Sequence, residues 1–328
     1  MSRHHDEDAR GRDPANRLGI DYRAVPARAI DARIIDVHTH VRNQPGVEAF
    51  FEAAELYGIT RVVSMTPLEE VDALRAVYGE RLEFIAIPRW REMGRTEGFR
   101  RQWIADLAEF RTRGARRMKF WMAPPMRGEH GLTLRDPFFT PVIDAACELG
   151  YAFMIHVGDP SVWFRPGGRY ADADRYGTKH EQYDQLEYLL ERVAPRSVIA
   201  AHLGGNIEEP DFLQRLLDRY PNLYLDSSAT KWVVREIAWQ PERVRAFVIR
   251  NADRILFGSD LVVDPKFDFT HYASRYWVHQ RLWETDYRGE SPIADPDAPQ
   301  PPRLAGLALP PDVLHRLYHA NAERLGHG

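Results

Sequence analysis

The sequence lacks several features that mark particular classes of protein. It has one cysteine, Cys147, which excludes both a disulfide framework and a thiolate metal cluster. No run of ~18 apolar residues occurs, and the charged N-terminus lacks the apolar stretch of a secretory signal. Basic residues are not in excess, since 44 Lys and Arg stand against 48 Asp and Glu. We therefore expect a cytoplasmic protein that binds neither membranes nor nucleic acids.

The chain nevertheless contains ample material for a packed core. It has 328 residues, of which 44% are hydrophobic, and it includes 15 Phe, 14 Tyr and 8 Trp. Residues 1–32 are polar and show no apolar periodicity, which predicts an N-terminal tail or a surface arm. No break in composition divides the remainder, so we expect residues 33–328 to form a single domain. We place Cys147 in its core, within an apolar helical segment.

Short β-branched or aliphatic runs recur along the chain and predict eight strands. These are Ile34–Val37, Arg61–Ser64, Leu82–Ile87, Arg117–Trp121, Tyr151–Ile155, Ser197–Ala201, Leu223–Leu225 and Ile255–Phe257. Segments with helical periodicity separate them, namely Val47–Tyr57, Leu68–Tyr78, Glu97–Thr112, Pro137–Leu149, Gln182–Val193, Asp211–Tyr220 and Glu242–Arg250. A further helix is predicted near the C-terminus, in LPPDVLHRLYHANAERLG.

This alternation favours an α/β fold of the (β/α)₈ TIM-barrel type over an open doubly wound sheet. A doubly wound sheet usually carries a glycine-rich phosphate loop after its first strand, and none follows Val37. Two long excursions depart from a minimal barrel. Residues Gly158–Glu181 follow the fifth strand and are expected to cap an active site, and Asp264–Pro302 precede the final helix.

The first strand, IIDVHTHV, carries His38 and His40 two residues apart. Side chains alternate along a strand, so both imidazoles project to the same side. Active sites of TIM barrels lie at the carboxyl ends of the strands. The pair could therefore hold one metal ion from a rigid support, although such a pair also arises by chance.

Three further polar residues fall at strand ends. His156 ends the fifth strand, His202 the sixth and Asp260 the eighth. The eighth strand closes against the first, and the fifth stands across the barrel, so a divalent ion, Zn²⁺ first, could bind His38, His40 and His156 with Asp260 nearby. Asp260 would accept a proton from metal-activated water, and His202 would polarise a carbonyl or act as a general acid. Taken singly, each residue could instead be a backbone-bonded histidine or a helix N-cap.

These motifs resemble the amidohydrolase superfamily. The resemblance spans about Ile34 to Leu325 and rests on DVHTH, the His156 strand end, AHLGG, LFGSD and NAERL. Within the superfamily, the chain is similar to the amidohydrolase-related (amidohydrolase 2) branch of metal-dependent hydrolases and aminocarboxymuconate semialdehyde decarboxylase-like enzymes. The resemblance implies that His38, His40, His156 and Asp260 bind the metal and that His202 contacts substrate or water. It also implies Zn²⁺ as the usual metal, with Mn²⁺ in some members.

Lys119 and Arg165 are candidate substrate-binding residues. Lys119 lies in the fourth strand, where binuclear members of the superfamily carry a carboxylated lysine that bridges two metals, and it could instead bind a substrate carboxylate. Arg165 lies in the long Gly158–Glu181 segment beside Trp163 and Phe164. Rings next to basic groups suit an aromatic or unsaturated carboxylate, although loop packing explains them as well.

Two enzyme functions are consistent with these residues. The first is hydrolysis of an amide, ester or lactone of a small molecule, and the alternative is nonoxidative decarboxylation or hydration of an aromatic or unsaturated acid. A non-catalytic scaffold barrel would need no metal. The aromatic segment HYASRYWVHQRLW, with Trp277 and Trp283, could bury a homodimer contact as readily as a core face.

Overall fold

The computed structural model describes residues 13–326. Nine parallel strands form one curled sheet, in the order β8-β7-β6-β5-β4-β3-β2-β1-β9. The strands are β1 Ile34–His40, β2 Ile59–Ser64, β3 Leu82–Ala86, β4 Arg117–Trp121, β5 Ala152–His156, β6 Val198–Ala200, β7 Leu223–Asp226, β8 Ile255–Leu256 and β9 Leu261–Val262. Most of their residues are buried on both faces, because helices cover the outside and side chains fill the inside.

β8 and β9 are two halves of the eighth barrel strand. β8 pairs with β7 and β9 pairs with β1, both in parallel register. Between the halves, the amide of Val37 donates to the carbonyl of Phe257 (3.0 Å) and the amide of Asp260 donates to the carbonyl of His38 (2.8 Å). These bonds join the last strand to the first. The predicted (β/α)₈ barrel is therefore confirmed.

Helices surround the sheet, several of them started by side-chain caps. The N-cap Thr178 accepts from the amide of Glu181, whose carboxylate in turn accepts from the amide of Thr178. The helices are α1 Val47–Leu56, α2 Val71–Tyr78, α3 Glu97–Thr112, α4 Pro124–His130, α5 Thr140–Glu148, α6 Ser161–Phe164, α7 Ala173–Tyr176, α8 Lys179–Val193, α9 Pro210–Arg219, α10 Trp232–Trp239, α11 Pro241–Arg250, α12 Phe269–Glu284, α13 Pro311–His315 and α14 Asn321–Arg324. A π-helical turn, Arg316–Ala320, connects α13 to α14.

The two long excursions contain regular structure. Gly158–Glu181 includes α6, α7 and the start of α8, whereas Asp264–Pro302 includes all of α12. An antiparallel pair, β10 Arg288–Glu290 and β11 Arg303–Ala305, follows α12. The two excursions touch, since the indole of Trp163 donates to a carboxylate oxygen of Asp297 at 3.0 Å.

The aromatic segment of α12 is buried within the chain. Twelve of the 16 residues of α12 are buried, and Trp277 and Trp283 are 5% and 0% exposed. Part of the covering comes from residues 13–32, which lie against the barrel: Tyr22 meets Trp277 edge-on at 6.3 Å, and Gln280 donates to the carbonyl of Pro26. The remaining residues of the expected tail or arm, 1–12, lie outside the described part of the chain.

Cys147 is free and partly buried, and it packs against the core on α5. Within residues 13–326, none of the helices has the length and apolar character needed to cross a lipid bilayer.

Candidate metal centre

β1 directs Asp36, His38 and His40 toward the same side, as its alternation predicts. Asp36 and His38 are fully buried, and the side chain of His40 is 32% exposed. Asp36 accepts from the amides of His38 (3.2 Å) and Ser259 (3.0 Å) and from the hydroxyl of Tyr276 (3.2 Å). Burial raises the pKa of Asp36 to about 7. Asp36 thus ties the segment before Asp260 to the first strand.

His38, His40 and Asp260 converge at the carboxyl end of β1. Nε2 of His38 and Nε2 of His40 each lie 3.2 Å from the same oxygen, Oδ1 of Asp260. One ligand atom from each of the three residues lies within 4.8 Å of the other two. Two imidazole nitrogens and a carboxylate oxygen are ligands that Zn²⁺ accepts, and three protein ligands are usual in catalytic zinc sites. The donor set therefore fits one divalent cation.

The backbone of the barrel seam positions Asp260. Its φ is 60°, in the left-handed region that non-glycine residues rarely adopt. The backbone two residues before Asp260 lies close to β1. A Cβ added to Gly258 would lie only 3.0 Å from Cβ of His38. Burial opposes ionisation of Asp260, but the charge of His38 and hydrogen bonds from His38 and His40 hold its pKa well below the usual range. The carboxylate is thus kept as an anion.

Asp226, at the end of β7, holds the other nitrogen of His38. Its Oδ2 lies 2.9 Å from Nδ1 of His38, and both side chains are fully buried. Its Oδ1 accepts from the amides of His202 (3.0 Å) and Ser228 (3.1 Å) and from the Ser228 hydroxyl. Histidines that bind metals commonly pair their second nitrogen with a carboxylate in this way. Sequence analysis missed Asp226, although LYLDSS places it at a strand end.

A second group of converging ligand atoms comes from His38, His202 and Asp226. It shares His38 with the first group, but Nδ1 of His38 faces Asp226 whereas Nε2 faces Asp260. All three residues are buried and already joined to one another or to Ser228 by hydrogen bonds. We therefore assign this group a positioning role behind the first.

His202 and His156 form a hydrogen-bonded pair beside the centre. His202 follows β6 in the left-handed conformation, with φ of 59°. Its Nδ1 lies 2.7 Å from the hydroxyl of Ser228, and its Nε2 lies 3.1 Å from Nδ1 of His156. Burial holds the pKa of His202 well below 6.5, so the imidazole is neutral. Nε2 of His156 lies 3.1 Å from Asp159, and neither converging group includes His156.

Lys119 reaches the same centre from β4. Its Nζ lies 2.8 Å from Nε2 of His38, and the residue is only 4% exposed. Burial lowers the pKa of Lys119. The side-chain nitrogen of Lys119 thus stands beside the nitrogen of His38 that faces Asp260. Arg165 is placed differently, because it is exposed at the end of α6 and lines neither of the two cavities described next.

Two cavities open above the centre, and both are lined by His40, Met65 and Trp90. One, of about 300 Å³, continues toward Lys119 and Trp121. The other, of about 480 Å³, is lined by Arg42, Gln44, Arg89, Arg91 and several carboxylates. The long Gly158–Glu181 segment, in which sequence analysis placed the cap of the site, contributes to neither cavity. The cavity walls around His40 come instead from β9 and from the loops that follow β1, β2, β3, β4 and β9.

Comparisons with known proteins agree with this fold. An apo protein of Agrobacterium tumefaciens is similar over 92% of this chain and 97% of its own, with 15% identity and a TM-score of 0.50. A 5-carboxyvanillate decarboxylase of Novosphingobium aromaticivorans, complexed with manganese and 4-hydroxy-3-methoxy-5-nitrobenzoic acid, is similar over 95% of this chain and 98% of its own, with 12% identity and a TM-score of 0.53. A search of curated proteins finds no match.

The fold and the cluster of histidines and aspartates are those of a TIM-barrel enzyme with a site for a divalent cation. The sequence profile of the amidohydrolase family matches residues 35–325, which is nearly the whole described chain. The chain therefore belongs to the amidohydrolase family, as its strand-end motifs indicate.

Proposed function

We propose that the protein is a metal-dependent hydrolase that adds water to the carbonyl of an amide, ester or lactone in a small molecule. The observation that carries the proposal is the convergence of His38 Nε2 and His40 Nε2 on Oδ1 of Asp260, next to the cavities that His40 lines. The catalytic roles of these residues follow from their positions and are part of the proposal.

His38, His40 and Asp260 are the residues that would hold the cation, with Zn²⁺ first and Mn²⁺ second. When bound, such a cation supplies Lewis acidity and lowers the pKa of a water molecule to ~7. Asp226 fixes the ring of His38 by its bond to Nδ1, so Nε2 stays directed at the site. The carboxylate of Asp260 is 32% exposed and can accept the proton that the attacking water loses.

The His202–His156 pair supplies a second proton route. The hydrogen bond between Nε2 of His202 and Nδ1 of His156 can hold a proton, and Ser228 anchors the other side of His202. We propose that this pair delivers the proton to the leaving group. This differs from the expectation that His156 is a metal ligand. His156→Ala distinguishes the two roles, because it abolishes metal binding if His156 is a ligand and spares metal binding if His156 only delivers a proton.

One observation favours a second function, the nonoxidative decarboxylation of an aromatic acid. Lys119 stands at the inner end of the cavity that Trp90 and Trp121 line, which suits an aromatic carboxylate. A decarboxylase with this fold was solved with manganese and a substituted benzoic acid. The substrate in either case is a small molecule, and a carboxylate is a suitable partner for Lys119.

Metal analysis of the purified protein is the first test. We expect about one divalent ion per chain, loss of that ion in His40→Ala, and retention in the matched surface variant His180→Ala, whose side chain is 65% exposed. A stoichiometry near two would instead support a second metal with a carboxylated Lys119. Failure of the wild type and of His180→Ala to bind zinc or manganese would overturn the proposal.

The reaction type is tested with the metal-loaded enzyme in ¹⁸O-labelled water. Hydrolysis incorporates one labelled oxygen into the acid product of an amide, ester or lactone panel. Release of CO₂ from a benzoic acid panel, without such incorporation, would identify the decarboxylase.

A further inference from the structure

The two cavities meet above the candidate metal centre. Both include His40, Met65 and Trp90 in their walls, so the two cavities adjoin at these residues. We call the 300 Å³ cavity the apolar lobe and the 480 Å³ cavity the polar lobe. A molecule whose reacting bond lies over His40 would extend into both.

Flat hydrophobic groups fit the apolar lobe. Besides the shared residues, Met93, Lys119, Trp121, Met126 and His130 line it, and nearly all of the exposed wall is apolar. The indoles of Trp90 and Trp121 stand edge to face, with ring centroids 6.2 Å apart. Thioethers and indoles pack favourably against an aromatic ring, because sulfur is polarisable and the rings stack or meet edge-on.

The polar lobe has charges of both signs in its wall. Arg89 is bonded to Asp106 through two of its nitrogens, at 2.8 and 3.2 Å. Arg91 and Glu92 are exposed and also line the lobe. Because the wall holds three guanidinium groups and four carboxylates, a ligand with a net charge of either sign gains little electrostatic stabilisation. The wall instead favours a zwitterionic or neutral group with hydrogen-bond donors and acceptors.

We propose that the substrate is an amide or ester that joins a flat apolar ring to a zwitterionic or neutral polar group. This inference rests on the proposed function. Hydrolysis would form a bond between the water oxygen and the carbonyl carbon and break the bond from that carbon to nitrogen or oxygen. One water proton goes to the leaving nitrogen or oxygen, and the acyl half becomes a carboxylic acid. Each lobe then holds one product.

Ligand-observed NMR tests the inference with γ-glutamyl anilide and with acetanilide. The first compound carries a zwitterionic group, an amide and a ring, whereas the second lacks the zwitterion. We expect γ-glutamyl anilide to bind the zinc-loaded protein at least about tenfold more tightly, since only it reaches both lobes. Equal affinities for the two compounds would overturn the inference.

Variants in each lobe sharpen the test. Trp121→Ala should weaken both compounds by about tenfold, because both place a ring in the apolar lobe. Arg91→Ala should weaken γ-glutamyl anilide severalfold and leave acetanilide unchanged. The matched controls are Trp239→Ala, at an indole that is 48% exposed outside both lobes, and Arg101→Ala, at a side chain that is 71% exposed. If neither lobe variant differs from its control, the inference is wrong.

The same NMR sample tests the two-lobed site and the hydrolase function separately. Hydrolysis products give new signals, so binding and turnover are read independently. Binding that depends on both lobes without products supports the two-lobed site and counts against the hydrolase. Turnover that is insensitive to Trp121→Ala and Arg91→Ala supports the hydrolase and overturns the two-lobed site.

Discussion

Asp226 links the metal centre to the histidine pair through its two oxygens. One oxygen fixes Nδ1 of His38, and the other receives the amide of His202 and the groups of Ser228. Because all of these groups are buried, the orientation of both histidines depends on one carboxylate.

We expect Asp226→Asn to weaken zinc binding by about 10- to 100-fold, the usual effect of losing a carboxylate behind a metal-binding histidine. Asparagine keeps the volume but removes the charge that favours the Nδ1–H form of His38. Competition with a chromophoric chelator measures the change, with Asp253→Asn, at a side chain that is 63% exposed, as the control. Unchanged zinc affinity in Asp226→Asn would show that the carboxylate serves packing alone.

Glu236 on α10 predicts a pH dependence of stability away from the metal centre. It is fully buried, and neither carboxylate oxygen has a hydrogen-bond partner. Burial, with the charge of Glu208, raises its pKa from 4.5 to about 8, although Lys179 and Arg235 oppose the shift. The folded state therefore favours the protonated acid. Its contribution to stability is complete below pH 4.5 and is lost as the pH rises through about 8.

Glu236→Gln should accordingly match the wild type near pH 4.5 and exceed it in unfolding free energy as the pH rises. The gap should level off above pH 8 at no more than about 5 kcal/mol. Urea titrations across this range measure it, and Glu242→Gln, whose side chain is 82% exposed, should show no such gap. A constant difference at every pH would contradict the argument.

At the scale of elements, the turn after β6 fixes where His202 can lie. Gly205 has φ of 67°, and a Cβ there would lie 2.5 Å from the carbonyl oxygen of Val157. Gly114 also has a positive φ, 82°, but a Cβ there meets nothing within 4 Å. Substitution of Gly114 therefore introduces backbone strain alone, whereas substitution of Gly205 adds a steric clash to that strain.

We expect Gly114→Ala to cost about 1–2 kcal/mol of stability, the strain of a left-handed residue alone. Gly205→Ala should cost more and should also reduce metal-dependent activity, because β5 and β6 must move apart near His156 and His202. Equilibrium denaturation and activity assays check both variants. Equal losses of stability in the two variants would mean that the turn at Gly205 relaxes around the added methyl group at little cost.

Elements with a regular pattern of apolar residues could be predicted from the sequence, even where the structure buries both of their faces. The segments 117–121 and 97–112 were predicted with the bounds of β4 and α3. α12 was missed because burial of 12 of its 16 residues erases the helical alternation of polar and apolar positions. His38, His40 and Asp260 were predicted from their strand-end positions, and the structure brings them together. Asp226 also ends a strand, but its bond to His38 joins residues 188 positions apart, which the sequence alone does not show. The exposed position of Arg165 likewise depends on how the loops pack.

At the scale of the molecule, Glu284 joins three separate parts of the chain. Its carboxylate accepts from the amide of Ala29 (2.6 Å) and the hydroxyl of Tyr318 (2.7 Å), and it pairs with Arg28 at 3.4 Å. Residues 13–32, α12 and the C-terminal helical segment therefore meet at one buried acid.

Glu284→Ala should lower the unfolding free energy by about 3 kcal/mol, because it leaves buried donors without an acceptor. Glu290→Ala, which removes a carboxylate that is 41% exposed, should cost less than about 1 kcal/mol. Urea denaturation of both variants measures the difference. Similar small losses in the two would indicate that the N-terminal segment contributes little to the fold.

The pairing of the first and last strands also affects when the candidate metal centre forms during folding. His38 and His40 leave the ribosome early, whereas Asp260 emerges only after seven strands have been synthesised. The three donor atoms meet only when the eighth strand docks against β1, a contact of long sequence separation that forms late in folding. Under the proposed function, nascent chains should therefore acquire high affinity for the ion only near the end of translation.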